Sequence, residues 1–139
     1  MKQMFLAAAF AVWSVTGAQA QDADIRAVIT QQFDAFKVDD FATAFTFASP
    51  SLQGFFQNPQ NFGRMVSQGY PMVWRPAAVD FLELREEGGT YWQKVQIADA
   101  KGQFHYLEYR MMQTAEGWRI SGVQILDAPG AAVCCATAS

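Results

Sequence analysis

Cysteine is almost missing from this chain. Its 139 residues hold two, side by side at Cys134-Cys135. A disulfide framework across the fold is thereby excluded, and a bond between chain neighbours closes only a small strained ring. Histidine is scarcer still, with His105 alone. One imidazole and a remote thiol pair leave no donor set at metal-ligand spacing, so no metal and no other cofactor is expected. There is no basic run, and the net charge is −3, which argues against nucleic acid or an anionic membrane surface as partner. There is also no G-x-S-x-G and no glycine-rich phosphate loop, and Ser49 and Ser51 have no neighbouring base.

What is abundant is apolar surface. Hydrophobic residues make up 51% of the chain and aromatic residues 14%, too much for a disordered polymer and enough for one domain with its own core. Lys2 followed by the apolar stretch Met4 to Val15 and by Ala18-Gln19-Ala20 reads as a secretory signal peptide cleaved after Ala20. The apolar stretch is too short to span a bilayer comfortably. The expected organisation is a signal peptide over 1–20, a single domain over 21–127 and a flexible Ala/Cys tail over 128–139. The product is expected to be periplasmic or secreted, with no membrane association after cleavage.

The helical signals come first. Ile25, Val28, Ile29, Phe33 and Phe36 keep a helical rhythm, with Asp22 as the expected cap. Asp39 or Asp40 caps a second, shorter helix carrying Phe41, Ala44, Phe45 and Ala48, which Ser49-Pro50 ends. Ser51 to Phe56 is expected to be an irregular or helical link. Asn58-Pro59 opens a third helix bearing Phe62, Met65 and Val66, with Gly69 as its left-handed stop. Tyr70 to Pro76 is expected to be extended, because Tyr70 and Arg75 each precede a proline.

Four strand signals follow: Val79–Arg85, Thr90–Ala98, Gln103–Gln113 and Trp118–Leu126. Gly88-Gly89, Asp99 to Gly102 and Thr114 to Gly117 separate them. Connections of about four residues require antiparallel neighbours. Trp118 and Ile120 point one way, then Val123 and Ile125 continue on odd numbers, so a bulge is expected at Gly122. Helices first and strands last give an α+β class, with N-terminal helices packed on the concave face of a curved antiparallel sheet of four to five strands.

Three blocks add a family likeness. They are Ala44 to Pro50, then Phe62, Met65-Val66 and Gly69 to Pro76, then Gly117 to Val123. Together they resemble the bacterial family termed domain of unknown function 4864, over nearly all of Ile25 to Leu126. That family in turn resembles the nuclear-transport-factor-2-like superfamily. The resemblance implies a cone, a curved sheet wrapped round helices with a pocket at the open end. It transfers no catalytic residue, since fold alone does not assign function.

Candidate chemistry is thin. His105 is a possible general base, without an evident carboxylate to orient it. Asp80 is the carboxylate least explained by an ion pair, since Glu83 with Arg85 and Glu108 with Arg110 share strand faces, and cross-strand or same-face ion pairs account for them. Neither is assigned a catalytic role. Tyr70, Tyr106 and Tyr109 are candidate donors to an oxyanion, and Tyr70 and Tyr109 are also candidate ligand-binding residues. Trp74 and Arg75, fixed between two prolines, suit stacking on an acidic ligand, or else a core plug and an ion pair with Asp80 or Glu83. The favoured function is a non-catalytic module binding a small apolar ligand or a protein, with a homodimer through the sheet where Trp92 and Tyr106 stand outward. Two alternatives remain. One is an acid/base enzyme of isomerase or dehydratase type, acting on a small hydrophobic carbonyl compound. The other is a purely structural domain without a pocket.

Overall fold

The computed structural model describes residues 17–126, so most of the expected signal peptide and the whole Cys134-Cys135 tail lie outside the described residues. Five helices precede four strands: α1 Gly17–Lys37, α2 Phe41–Thr46, α3 Pro50–Phe56, α4 Pro59–Gly69, α5 Pro71–Trp74, then β1 Ala78–Glu87, β2 Thr90–Ala98, β3 Phe104–Thr114 and β4 Gly117–Leu126. The strands form one antiparallel meander in the order β1-β2-β3-β4.

The sheet follows the alternation of its sequence. Val95 and Ile97 on β2 pair with Leu107 and His105 on β3, and Leu107, Tyr109 and Met111 are buried on the same face. At the β1–β2 turn, Gly88 and Gly89 both take positive φ, the requirement of the tight hairpin that only glycine meets without strain. The phase change in β4 is real: Arg110 pairs with Gly122 but Met111 with Ile120, leaving Ser121 as the extra residue. Val123 therefore turns back toward the helices. Ile125 stands opposite buried Leu107 but is itself exposed.

A second irregularity had no glycine to announce it. Phe81 pairs with Val95 and Leu84 with Gln93, so Leu82 and Glu83 together face Lys94. Buried Gln93 holds this bulge through its side-chain amide, which donates to the carbonyls of Leu82, Glu83 and Lys94. Two bulges in a meander increase its coil and give the concavity that the helices fill.

On α1, Ile25, Ile29, Phe33 and Phe36 form one buried stripe joined to the sheet's inner residues in a single core. Each such side chain contributes roughly 1.5–3 kcal/mol on full burial. Buried Gln32 donates to Ala44 O at 3.1 Å and ties α1 to α2. The segment between α2 and α3 pairs with the free edge of β4: Ile120 N donates to Phe47 O and Ser49 N to Ile120 O, each at 2.8 Å. The helices are thus hydrogen-bonded to the sheet as well as packed on it.

Several local expectations change. The helix α1 already includes Gly17, so Asp22 lies inside it, 3.7 Å from Arg26 one turn on, and is not its cap. Asp40 caps α2 by accepting from Thr43 N, while Asp39 is free for another use. The helix α2 stops at Thr46, ahead of Ala48, and Ser49-Pro50 instead starts α3, with Ser49 Oγ accepting from Leu52 N. It is the same signal as Asn58-Pro59, where Asn58 Oδ1 accepts from Asn61 N at 2.8 Å. Gly69 stays within α4, and Tyr70 in a non-helical conformation ends it. Tyr70 and Arg75 do avoid helical dihedrals ahead of their prolines. The four residues between them nonetheless close a helical turn, with Trp74 N donating to Tyr70 O and Arg75 N to Pro71 O.

Candidate functional site

A cavity of about 250 Å³ opens between the helix layer and the β3–β4 half of the sheet. Its inner wall includes Phe36, Phe62, Val66, Val73 and Ile120, all buried. Half-buried Leu52, Phe56, Met65, Tyr70 and Val123 form the remainder of the lining with small groups from Ala48 and Gly122. The β4 bulge is what brings Val123 to this wall. Three aromatic contacts on Phe62 hold the helical side together, to Phe36 at 5.8 Å, Phe45 at 5.4 Å and Phe56 at 5.5 Å between centroids.

Polar groups in the lining are few: Gln32, Tyr70 and Tyr109. Gln32 donates to Ala44 O. The Tyr70 hydroxyl reaches Val123 O at 3.5 Å, a long bond that links the α4–α5 corner to β4. The Tyr109 ring packs edge-on against Phe33, with centroids 6.2 Å apart. Its hydroxyl is buried and has no hydrogen-bond partner among the described residues. Burial, with a smaller contribution from Tyr70, pushes this phenol far above its ordinary range, so it stays protonated and able to donate. No ionisable carboxylate, imidazole or cation lines the cavity among the described residues.

The sequence candidates therefore divide. Tyr70 and Tyr109 meet at the cavity. Trp74, Arg75 and His105 lie together elsewhere, along a shallower groove of about 380 Å³ between α5 and the β2–β3 turn. Asp80 is exposed on β1 opposite Gln96, on the outer face of the sheet, and joins neither.

The groove residues are largely committed to holding the fold. Arg75 does not pair with Asp80 or Glu83. Its guanidinium donates to Asp39 Oδ1 at 2.9 Å and to Phe36 O at 2.6 Å, and stacks on Trp74 at 4.1 Å. A cation on a carbonyl of the last turn of α1 opposes the negative end of that helix. The Trp74 indole N–H also donates to Asp39 Oδ1, at 2.8 Å. These two bonds, the indole first and the guanidinium second, hold the Asp39 carboxyl below its ordinary range. His105 does have an orienting carboxylate after all: its Nε2 lies 2.8 Å from Asp99 Oδ2. Asp99 also accepts from the Gln103 and Lys101 amides and is held below the ordinary carboxylate range, chiefly by His105. The spacing Asp99-x5-His105 was visible, but only the hairpin brings the two ends together.

On the outer face the ion pairs run both across the strands and along them, Arg85 also meeting Glu87 two residues on in β1 at 2.6 Å. Lys94 meets Glu83 at 2.9 Å, and Arg85 grips buried Glu108 with two bonds of 3.1 Å. Trp92 is half-buried beneath Arg85 and Arg110, at 5.3 and 5.9 Å. Of the cross-strand and same-face pairs expected for these carboxylates, Glu83 and Glu108 take the cross-strand kind. Among the described residues no group of three His, Cys, Asp or Glu is placed to hold a metal.

Helices seated in a bulged antiparallel meander, with an apolar cavity between the layers, define an α+β cone of the NTF2-like kind. Within that class the chain belongs to the family described as domain of unknown function (DUF4864), whose model matches residues 18–133. No curated protein matches it. Among solved structures, RPA3114, a SEC-C motif containing protein from Rhodopseudomonas palustris, is similar with a TM-score of 0.55 at 14% identity, over 76% of this chain and 80% of that one. The variant chain Rd1NTF2_05 is similar with a TM-score of 0.52 at 14% identity, over 76% of this chain and 99% of its own. An NTF-2 like protein of unknown function from Burkholderia xenovorans LB400 shares 16% identity over 79% of this chain and 91% of its own, with a TM-score of 0.46. At these identities the likeness speaks for fold alone.

Proposed function

We propose that this is an exported, non-catalytic binding module that takes a small apolar ligand into the cavity between its helices and sheet. The observation that carries this reading is the lining. It is almost wholly hydrophobic, with a few polar groups and no side chain able to act as a base. An acid/base enzyme needs a carboxylate or imidazole within reach of the reacting carbon. The Asp99–His105 pair sits in the other groove and Asp80 on the outer face.

The test is a cavity-filling change. Val66 is buried on α4 and lines the cavity, so Val66→Phe puts its added ring atoms where a ligand would lie. Binding of an apolar fluorescent probe is expected to fall at least about tenfold, the loss of a few buried methylene contacts, while the circular dichroism spectrum stays unchanged. Equal binding by the folded variant would move the site elsewhere.

Export is supported by Lys2, the Met4 to Val15 stretch and Ala18-Gln19-Ala20. Mass spectrometry of the chain from a periplasmic fraction is expected to show Gln21 as its first residue. An intact Met1 form confined to the cytoplasm would overturn this.

A further inference from the structure

We infer that the cavity takes the end of a single unbranched alkyl chain whose polar head stays in water at the mouth. The inference rests on the cavity being the binding site and adds the class and orientation of its occupant.

Length comes from the lining. Along α4 it runs from Phe62 through Met65 and Val66 to Tyr70, about 12 Å at the helical rise, and Ile120 to Val123 wall the same space from β4. Capacity comes from the volume. A cavity of about 150 Å³ lined by Leu, Ile and Phe holds benzene, so 250 Å³ has room for about ten carbon atoms. That many carbons in one line match the length of the lining, whereas a fused ring of them is much shorter. A lipid with two chains would leave one of them in water. Orientation comes from the polar groups. The Tyr109 hydroxyl is fully covered and out of a ligand's reach, and Gln32 and Tyr70 already donate to Ala44 O and Val123 O. No charged side chain lines the cavity among the described residues. A head carried to the inner end, against buried Val66, Val73 and Ile120, would lose its water and gain no counter-ion. Leu52, Phe56, Met65 and Val123 are only half-buried, so their part of the lining borders solvent and a head can stay wet there. Met65 is itself unbranched and adapts its shape to a chain lying beside it.

The experiment measures displacement of the apolar fluorescent probe from the full chain by straight-chain primary alcohols of increasing length. Affinity is expected to rise about fourfold for each added methylene and to level off at about ten carbons, where further methylenes lie in water. Octyl glucoside, kept below its micelle concentration, is expected to bind as octanol does, because its large head remains outside. The diol with a hydroxyl at each end of the octyl chain is expected to bind at least about tenfold more weakly than octanol, since one hydroxyl must enter the cavity unpaired. A diol that binds as tightly as octanol, a glucoside that does not bind, or an affinity independent of chain length would each overturn the inference and leave the cavity reading standing. Binding of the probe but of none of the alcohols would do the same. Failure of wild type to bind the probe at all would overturn the cavity reading and the inference with it.

Discussion

Phe62→Ala is expected to lower the unfolding free energy by about 3–5 kcal/mol, read from urea denaturation. Phe62 is 5% exposed and its ring touches one aromatic on each of three other helices: Phe36 on α1, Phe45 on α2 and Phe56 on α3. Neither α2 nor α3 is long enough to hold itself in water, so each depends on packing. Truncation removes the transfer energy of the ring and leaves a void, and these contributions add. The void also merges with the cavity, which Phe62 lines. The variant should therefore bind bulkier apolar probes than wild type while being less stable. A loss below about 1 kcal/mol would mean that this ring does not organise the helix layer.

Gly63→Ala is expected to cost about 1–3 kcal/mol although alanine is the better helix former. Gly63 is buried in α4, and a Cβ there would stand 2.6–2.8 Å from three ring carbons of Phe41. Real contacts of that kind are not found, so the Phe41 ring must shift. It is not free to do so cheaply, since it packs against Phe36 at 6.2 Å between centroids. Shrinking the obstacle should rescue the fold. In the double variant with Phe41→Leu, the two losses are expected to sum to less than the separate values, by a coupling of roughly 0.5–3 kcal/mol. A thermal midpoint for Gly63→Ala equal to or above that of wild type would show that the α2–α4 approach is looser than the structure has it.

The glycine illustrates how unevenly the fold could be read from the chain. Gly88-Gly89 announced a hairpin and Gly122 a change of phase, because a turn or a bulge needs a backbone state that sequence neighbours reveal. Gly63 announced nothing. Its requirement comes from a ring more than twenty residues away in the chain. The same holds for the bulge at Leu82 and Glu83, which is held by the side chain of Gln93 from the next strand and carries no local mark. The one-turn helix α5 was missed for a different reason: prolines constrain the residues just before them, and that constraint was extended to the residues between.

The candidate site was legible in its parts and not in its arrangement. Tyr70, Trp74, Arg75, His105 and Tyr109 were all singled out as residues able to meet a ligand, yet the fold sends two to the cavity and three to a separate groove. Asp39 was read as a cap and instead receives both Trp74 and Arg75 from 35 and 36 residues along the chain. Periodicity, turn chemistry and capping act over a few residues, so the elements, their order, the α+β class and the inward faces of β2 and β3 could be read directly. Which charges meet, where a cavity is left, and that a central tyrosine is buried there with its hydroxyl unpaired follow from how α1, α4 and β4 close on one another. Those distances are not encoded in any short stretch, because packing a curved sheet against helices is settled by the shapes of all the side chains at once.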